Sequence, residues 1–202
     1  MSASTKDESR GEPAGTRDPP HPPAHPSGFA LALAGRAPSQ RPGGPFSLQP
    51  IGWVSSPYQR RFGTPQQAAA LDSDAEAVLE MDAERIPASA FADLMGVERI
   101  WILSWLHRGG TWAPVVRPPR GTRERRSLFA TRSPDRPNPL GLSAVRLLHT
   151  EGCNLHVRGI DLIDGTPILD VKPYFPYADA FPDSKAGWID RIPTNAPQIA
   201  RR

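Results

Sequence analysis

Between Glu98 and His107 the chain carries Ile100, Trp101, Ile102, Leu103, Trp105 and Leu106 almost in succession. The run is too apolar for a strand with one face in water, and far short of the roughly 20 apolar residues that cross a bilayer. It predicts a central strand covered on both faces, and therefore a domain organised around a sheet. Residues 48–54, closed off by the turn-prone Ser55-Ser56-Pro57, read as a first strand. Residues 75–81 read as a strand followed by a short helix over 88–94. Further strands are predicted at 128–130, 142–149, 154–163 and 167–171. Asp164-Gly165 suits the positive φ of a tight turn and predicts a hairpin joining the last two.

Composition decides how such strands assemble. The 25 prolines are roughly twice the usual share, and their spread denies the chain long helices. Many short strands, frequent proline and few helix-length periodic segments predict a mainly β fold, a single compact β-barrel domain with short helices. No Gly-x-Gly-x-x-Gly follows a predicted strand, which argues against a Rossmann nucleotide site. Residues 1–45 are Pro, Gly and Ala with scattered charges of both signs, too poor in apolar side chains to offset chain entropy. They are expected to be a disordered tail, with the domain at 46–190 and a flexible C-terminus at 191–202.

The single cysteine, Cys153, excludes an internal disulfide and a cysteine-based zinc site, and fits a reducing, cytoplasmic compartment. It is expected to fill core space. No membrane span is expected, and no metal, because no His, Cys and Asp spacing has a ligand pattern. Gly-x-Ser-x-Gly and Cys/His arrangements for covalent catalysis are absent as well. The net charge of +3 is modest, so its distribution matters more than its size.

That distribution is uneven. Arg117, Arg120, Arg123, Arg125, Arg126, Arg132 and Arg136 crowd one segment, opposed there by Glu124 and Asp135. Guanidiniums in loops offer planar, multidentate donors to phosphate or carboxylate, or serve only to keep a loop solvated. Around Arg132 and Arg136, Pro134, Pro137 and Pro139 fix alternate φ angles and bias Ser133, Arg136 and Asn138 toward extended backbone. Such pre-ordering suits a binding loop. A second polar stretch interrupts the last strands with Asp161 and Asp170, each either exposed on an alternating face or buried with a partner such as Arg132 or Lys172. Asp164 has an explanation in its turn. Tyr174, Phe175 and Tyr177 stack on a base or close the barrel. His107 ends the most apolar strand, at a junction where a ligand site or a hydrogen-bonded structural histidine are both in keeping.

Several motifs, in order, resemble one family. They are Ile51-Gly52-Trp53-Val54-Ser55-Ser56-Pro57-Tyr58 with Phe62-Gly63-Thr64-Pro65-Gln66-Gln67, then Trp101-Ile102-Leu103 through His107. Phe129-Ala130-Thr131-Arg132-Ser133-Pro134 follows, with Arg136-Pro137-Asn138-Pro139 and Gly141-Leu142-Ser143, then Asp164-Gly165-Thr166-Pro167 and Lys172-Pro173-Tyr174. Together they are similar to the TsaA-like (TrmO) domain, and the resemblance covers essentially the whole predicted globular region.

The resemblance implies a small β-barrel enzyme that uses S-adenosylmethionine and works as a homodimer with the cofactor near the subunit interface. It implies as substrate N6-threonylcarbamoyladenosine at position 37 of tRNA. It also implies cofactor contacts from Gln67, Ala68, Ala69, His107, Arg108, Arg132, Leu142, Asp164, Gly165, Thr166 and Pro167, with Ala68 and Ala69 matching by position only. A delocalised amine nucleophile needs an acceptor for its N–H, and Asp161 and Asp164 are the candidates. Arg120, Arg123, Arg126, Arg136, Asn138, Lys172 and Tyr174 are the expected RNA contacts. Family members known for the tRNA activity often carry a further small C-terminal domain. Here only residues 178–202 follow Tyr177, with Trp188-Ile189 expected to pack as a terminal segment and the arginine loop to supply phosphate contacts. Two other readings stay open: a methyltransferase of the same barrel acting on a small molecule, and a non-catalytic RNA-binding protein.

Overall fold

A computed structural model describes residues 45, 47–61, 63–65, 67, 74–119 and 124–192. Residues 1–44 of the expected tail, Phe46, Phe62, Gln66, Ala68, Ala69, Arg120, Arg123 and residues 193–202 lie outside the described residues.

Six strands close into a barrel: β1 (Gly52–Ser55), β2 (Glu76–Met81), β3 (Arg99–Trp105), β6 (Leu140–Glu151), β7 (Asn154–Arg158) and β8 (Pro167–Pro173). A small two-stranded sheet, β4 (Val115–Val116) with β5 (Arg126–Ser127), stands apart. Around the barrel the order is β1, β2, β7, β6, β3, β8, and every neighbouring pair is antiparallel. Closure comes from β1 on β8, with Gly52 opposite Ile168 and Trp53 opposite Pro167. A closed barrel leaves no edge to pair with another chain.

Alternation builds the core. Val54, Leu79, Ile100, Ile102, Val145, Leu155, Val157 and Ile168 point inward and are fully or almost fully buried. Gly52 lets β1 press against β2, since a Cβ there would lie 2.6 Å from Glu80 O and 2.9 Å from Met81 Cα. β6 is long enough to serve two partners. Its first part pairs with β3 and its last with β7, and a register shift between Leu147 and His149 bends it from one to the other. A two-residue connection, Gly152-Cys153, then reverses the chain into β7, with Gly152 at φ +59°.

Three expectations need correction. The strand at 98–107 is β3, but only its inner face is buried: Trp101 and Leu103 are half-buried outside and Trp105 is 39% exposed. A barrel encloses its own core, so each strand buries one face. Residues 128–130 form a short 3₁₀ helix (Leu128–Ala130) that sinks Leu128 and leaves Phe129 in solvent. The hairpin at Asp164-Gly165 does not form, because β7 pairs with β2 and β6 while β8 pairs with β1 and β3. The chain between them instead crosses the barrel end, with Ile160 and Leu162 buried in the core. The helix over 88–94 is present as a 3₁₀ helix, Ala88–Leu94, with Phe91 buried.

Candidate functional site

Strand direction decides which loops meet. β3 runs antiparallel to β6 and β8, and β8 to β1. The C-terminal ends of β1 and β3 and the N-terminal ends of β6 and β8 therefore share one end of the barrel. Four segments gather there: 56–67, 106–110, 131–139 and 159–166.

They are tied together by specific bonds. Leu106 N donates to Pro139 O (2.7 Å), joining the ends of β3 and the proline loop. Asp135 takes Gly110 N on one oxygen and Arg61 Nη2 on the other, both at 2.6 Å, and so links three of the four segments. Arg108 Nη1 donates to Gln59 O at 2.8 Å. The fourth segment is fixed to β1 and to the first segment: Ser56 N donates to Asp164 Oδ1 (3.0 Å), Asp164 N to Tyr58 O (2.8 Å), and Gly165 N to Val54 O (2.7 Å). Gly165, at φ +71°, makes this tight turn accessible. Thr166, almost fully buried, closes it by donating Oγ1 to Ile163 O at 2.5 Å.

Of the expected cofactor contacts, Gln67, His107, Arg108, Leu142, Asp164, Gly165, Thr166 and Pro167 belong to these segments or to the strand ends beside them. Arg132 stands exposed on the proline loop, and Leu142 is 57% exposed. Asp161 is half-buried and accepts Ser143 Oγ at 2.5 Å. Lys172, one of its two expected partners, pairs with Asp170 at 2.7 Å on the outer wall, so the alternating-face reading applies to Asp170.

The expected RNA contacts divide. Arg126 is engaged by Glu124 and lies over the Trp188 ring, 5.3 Å from its centroid. Trp188 in turn donates Nε1 to Ala130 O at 2.7 Å, docking the terminal segment as expected. Arg136 donates to Thr131 O (2.9 Å) and covers Phe129 at 5.1 Å, which braces the proline loop. Asn138 is exposed near the end of that loop, two residues before β6. Tyr174 packs against Trp101 with ring centroids 5.4 Å apart. A groove of about 380 Å³ on the outer wall, with Glu76, Val78, His149 and His156 along it, contains none of the expected site residues.

A protein-family model described as tRNA-methyltransferase O N-terminal domain matches residues 53–180, which spans the barrel and all four segments. The chain belongs to this family. It is 39% identical over 155 residues to the tRNA (adenine(37)-N6)-methyltransferase of Escherichia coli (strain K12), covering 73% of this chain and 66% of that one. It is 41% identical over 150 residues to a putative S-adenosylmethionine-dependent methyltransferase, RcsF, of Pseudomonas aeruginosa, covering 73% and 64%. A crystal structure of TrmO from P. aeruginosa superposes with a TM-score of 0.61 at 36% identity, covering 74% of this chain and 63% of that one. The chain thus spans just under two thirds of the length of these relatives.

Within this tRNA-methyltransferase O domain, two features escaped reading from the sequence. The Arg61–Asp135 pair bridges residues far apart in the chain, and Asp135 was visible only as a local counter-charge in the arginine cluster. Ser143 stood in a motif with nothing to mark its hydroxyl. Among the described residues, no helix is long and apolar enough to cross a membrane and no group of three His, Cys, Asp or Glu could hold a metal.

Proposed function

We propose that this barrel binds S-adenosylmethionine at its loop end and methylates N6 of threonylcarbamoyladenosine at position 37 of tRNA. One observation carries the reading: in a member of this family, four segments bearing the expected cofactor contacts converge beside a half-buried carboxylate, Asp161.

The residues suit the two ends of the cofactor. Arg132 presents an exposed guanidinium to the amino-acid carboxylate, and Leu142 an exposed apolar surface to the adenine ring. Gln67, His107, Arg108 and the turn from Asp164 to Pro167 complete the contacts, with Ala68 and Ala69. When bound, S-adenosylmethionine supplies a methyl group already activated by its positive sulfur. The chain has to orient the nucleophile and receive a proton. With the cofactor bound, Asp161 would accept the N6 proton that methyl transfer releases and pass it to water. Asp161 is favoured over Asp164, whose Oδ1 accepts from the Ser56 backbone in the turn.

Arg120, Arg123, Arg126, Arg136, Asn138, Lys172 and Tyr174 contact the RNA in this reading, and binding weakens as salt rises. Trp105, Phe129, Leu140 and Leu142 are exposed beside the site, an apolar surface suited to a second copy of the chain in a homodimer. Residues 46–190 are the catalytic domain, and the location is cytoplasmic. The test is mass spectrometry of tRNA nucleosides from cells with and without the gene, followed by complementation with Arg132→Ala. Loss of a methylated adenosine that only the intact gene restores supports the reading. An unchanged mark, with purified protein still binding S-adenosylmethionine, replaces tRNA by a small-molecule substrate.

A further inference from the structure

The segment between β7 and β8 crosses the barrel end with Gly159 and Ile160 both buried and the chain alternating from there to Leu162. Ile160 and Leu162 enter the core at 0% and 3% exposure, and Asp161 is caught between them with its carboxylate half-buried. This anchors the backbone of Asp161, while the direction of its carboxylate is set by χ1 and χ2 and by what the side chain touches. One such contact comes from another strand. Ser143 on β6 is 2% exposed and donates its hydroxyl to Asp161 Oδ1 at 2.5 Å.

A serine is an expensive choice at that position. Its inward neighbours along β6 are Val145 and Leu147, and a hydroxyl among them lowers stability unless it is bonded. Its depth is also controlled. Gly141, two residues earlier on the same strand, sits opposite Ser104, and a Cβ there would run into Ser104 Oγ and lie 3.0 Å from Leu106 Cδ2. The bare glycine lets β6 lie close to β3 where Ser143 is presented. The Ser104 hydroxyl is itself wholly buried and has no hydrogen-bond partner. Polar lining inside the barrel is thus concentrated at the end where the four segments meet.

We infer that Ser143 is a positioning residue, whose hydrogen bond fixes the rotation of the Asp161 carboxylate so that it faces the N–H of the amine nucleophile. The inference rests on the proposed role of Asp161 as acceptor. Ser143 touches neither cofactor nor substrate and acts through Asp161.

The test is a double-mutant cycle on the full chain with tRNA and S-adenosylmethionine, scored separately for kcat, for KM of tRNA and for cofactor Kd by equilibrium dialysis. Ser143→Ala is expected to lower kcat about tenfold, the scale of one orienting hydrogen bond to a charged group, with KM and Kd nearly unchanged. In an Asp161→Asn background the same change is expected to have little further effect. Ser143→Cys, close in volume but a weak donor, repeats the loss and substitutes for Ser143→Ala should that variant fail to fold. A loss that persists in full in the Asp161→Asn background, a Kd weakened as much as kcat falls, or no loss at all each overturn the inference. Asp161→Asn alone reports on the acceptor: turnover within a few-fold of the parent removes that role, and with it the role of Ser143.

Discussion

Two segments border the same barrel end and are held by opposite means. Residues 159–166 are fixed from below, by Ile160 and Leu162 in the core and by the Ser56, Ser143 and Thr166 hydroxyls above it. Residues 131–139 bury no side chain in the core. They take their shape from Pro134, Pro137 and Pro139, from the two bonds to Asp135 and from Arg136 bridging to Thr131. Apolar burial holds the proposed acceptor in place, whereas restricted φ angles and hydrogen bonds hold the loop that presents Arg132. A loop of the second kind keeps its polar groups at the surface, where a ligand can use them.

Removing a core anchor breaks the first arrangement outright. Ile160→Ala leaves a cavity in the core and is expected to cost about 2–5 kcal/mol, read as a lowered urea midpoint at unchanged m-value. Turnover is expected to fall further than the folded fraction, because Asp161 loses one of its two flanking anchors. A cost below about 1 kcal/mol shows that the segment lies on the core without being held by it.

The same contrast explains what could be read from the sequence. Most strands were legible because apolar alternation is a local property: β2, β3, β6 and β8 lie where the pattern placed them. Ile160 and Leu162 alternate as Leu155 and Val157 do, but one residue out of phase, and the apolar run made the segment look like more of β7. The phase break at Gly159, which has φ +83°, is the local sign that the strand ends there. Asp164-Gly165 announced a turn correctly, but a turn dipeptide does not say which partners the following strand will choose, and β8 chose β1 and β3. In the proline loop the positions of restricted φ were legible from the prolines themselves. The bonds from Asp135 to Arg61 and to Gly110 were not, since they depend on the barrel bringing distant residues together.

Smaller effects separate the components of the second arrangement. Asp135→Ala removes the bonds from Gly110 N and from Arg61, the latter an ion pair at a partly buried site, and is expected to cost about 1–2 kcal/mol in denaturant unfolding. It is also expected to weaken S-adenosylmethionine binding, because three segments lose their common tie. Unchanged cofactor affinity would show that the tie supports the fold and not the site. Pro137→Ala is expected to cost only about 0.4–1 kcal/mol, through added freedom in the unfolded chain. A calorimetric melting point shifted by much more would mean that the ring itself packs against something essential.

Arg132→Ala is expected to have the smallest effect on stability, and that gives the comparison its sharpest form. The side chain is exposed, so its removal is expected to leave stability within about 0.5 kcal/mol of the parent. If Arg132 takes the cofactor carboxylate, the same variant loses about tenfold or more in S-adenosylmethionine affinity, the worth of a charge-assisted, two-pronged contact. Loss of affinity without loss of stability separates the two segments: the proline loop then contributes a ligand contact and little to the fold, whereas Ile160 contributes to the fold and acts on the ligand only through it. If affinity is unchanged, the loop's rigidity serves another contact, and the phosphate backbone of the RNA becomes the partner to measure, through the salt dependence of tRNA binding in the same variant.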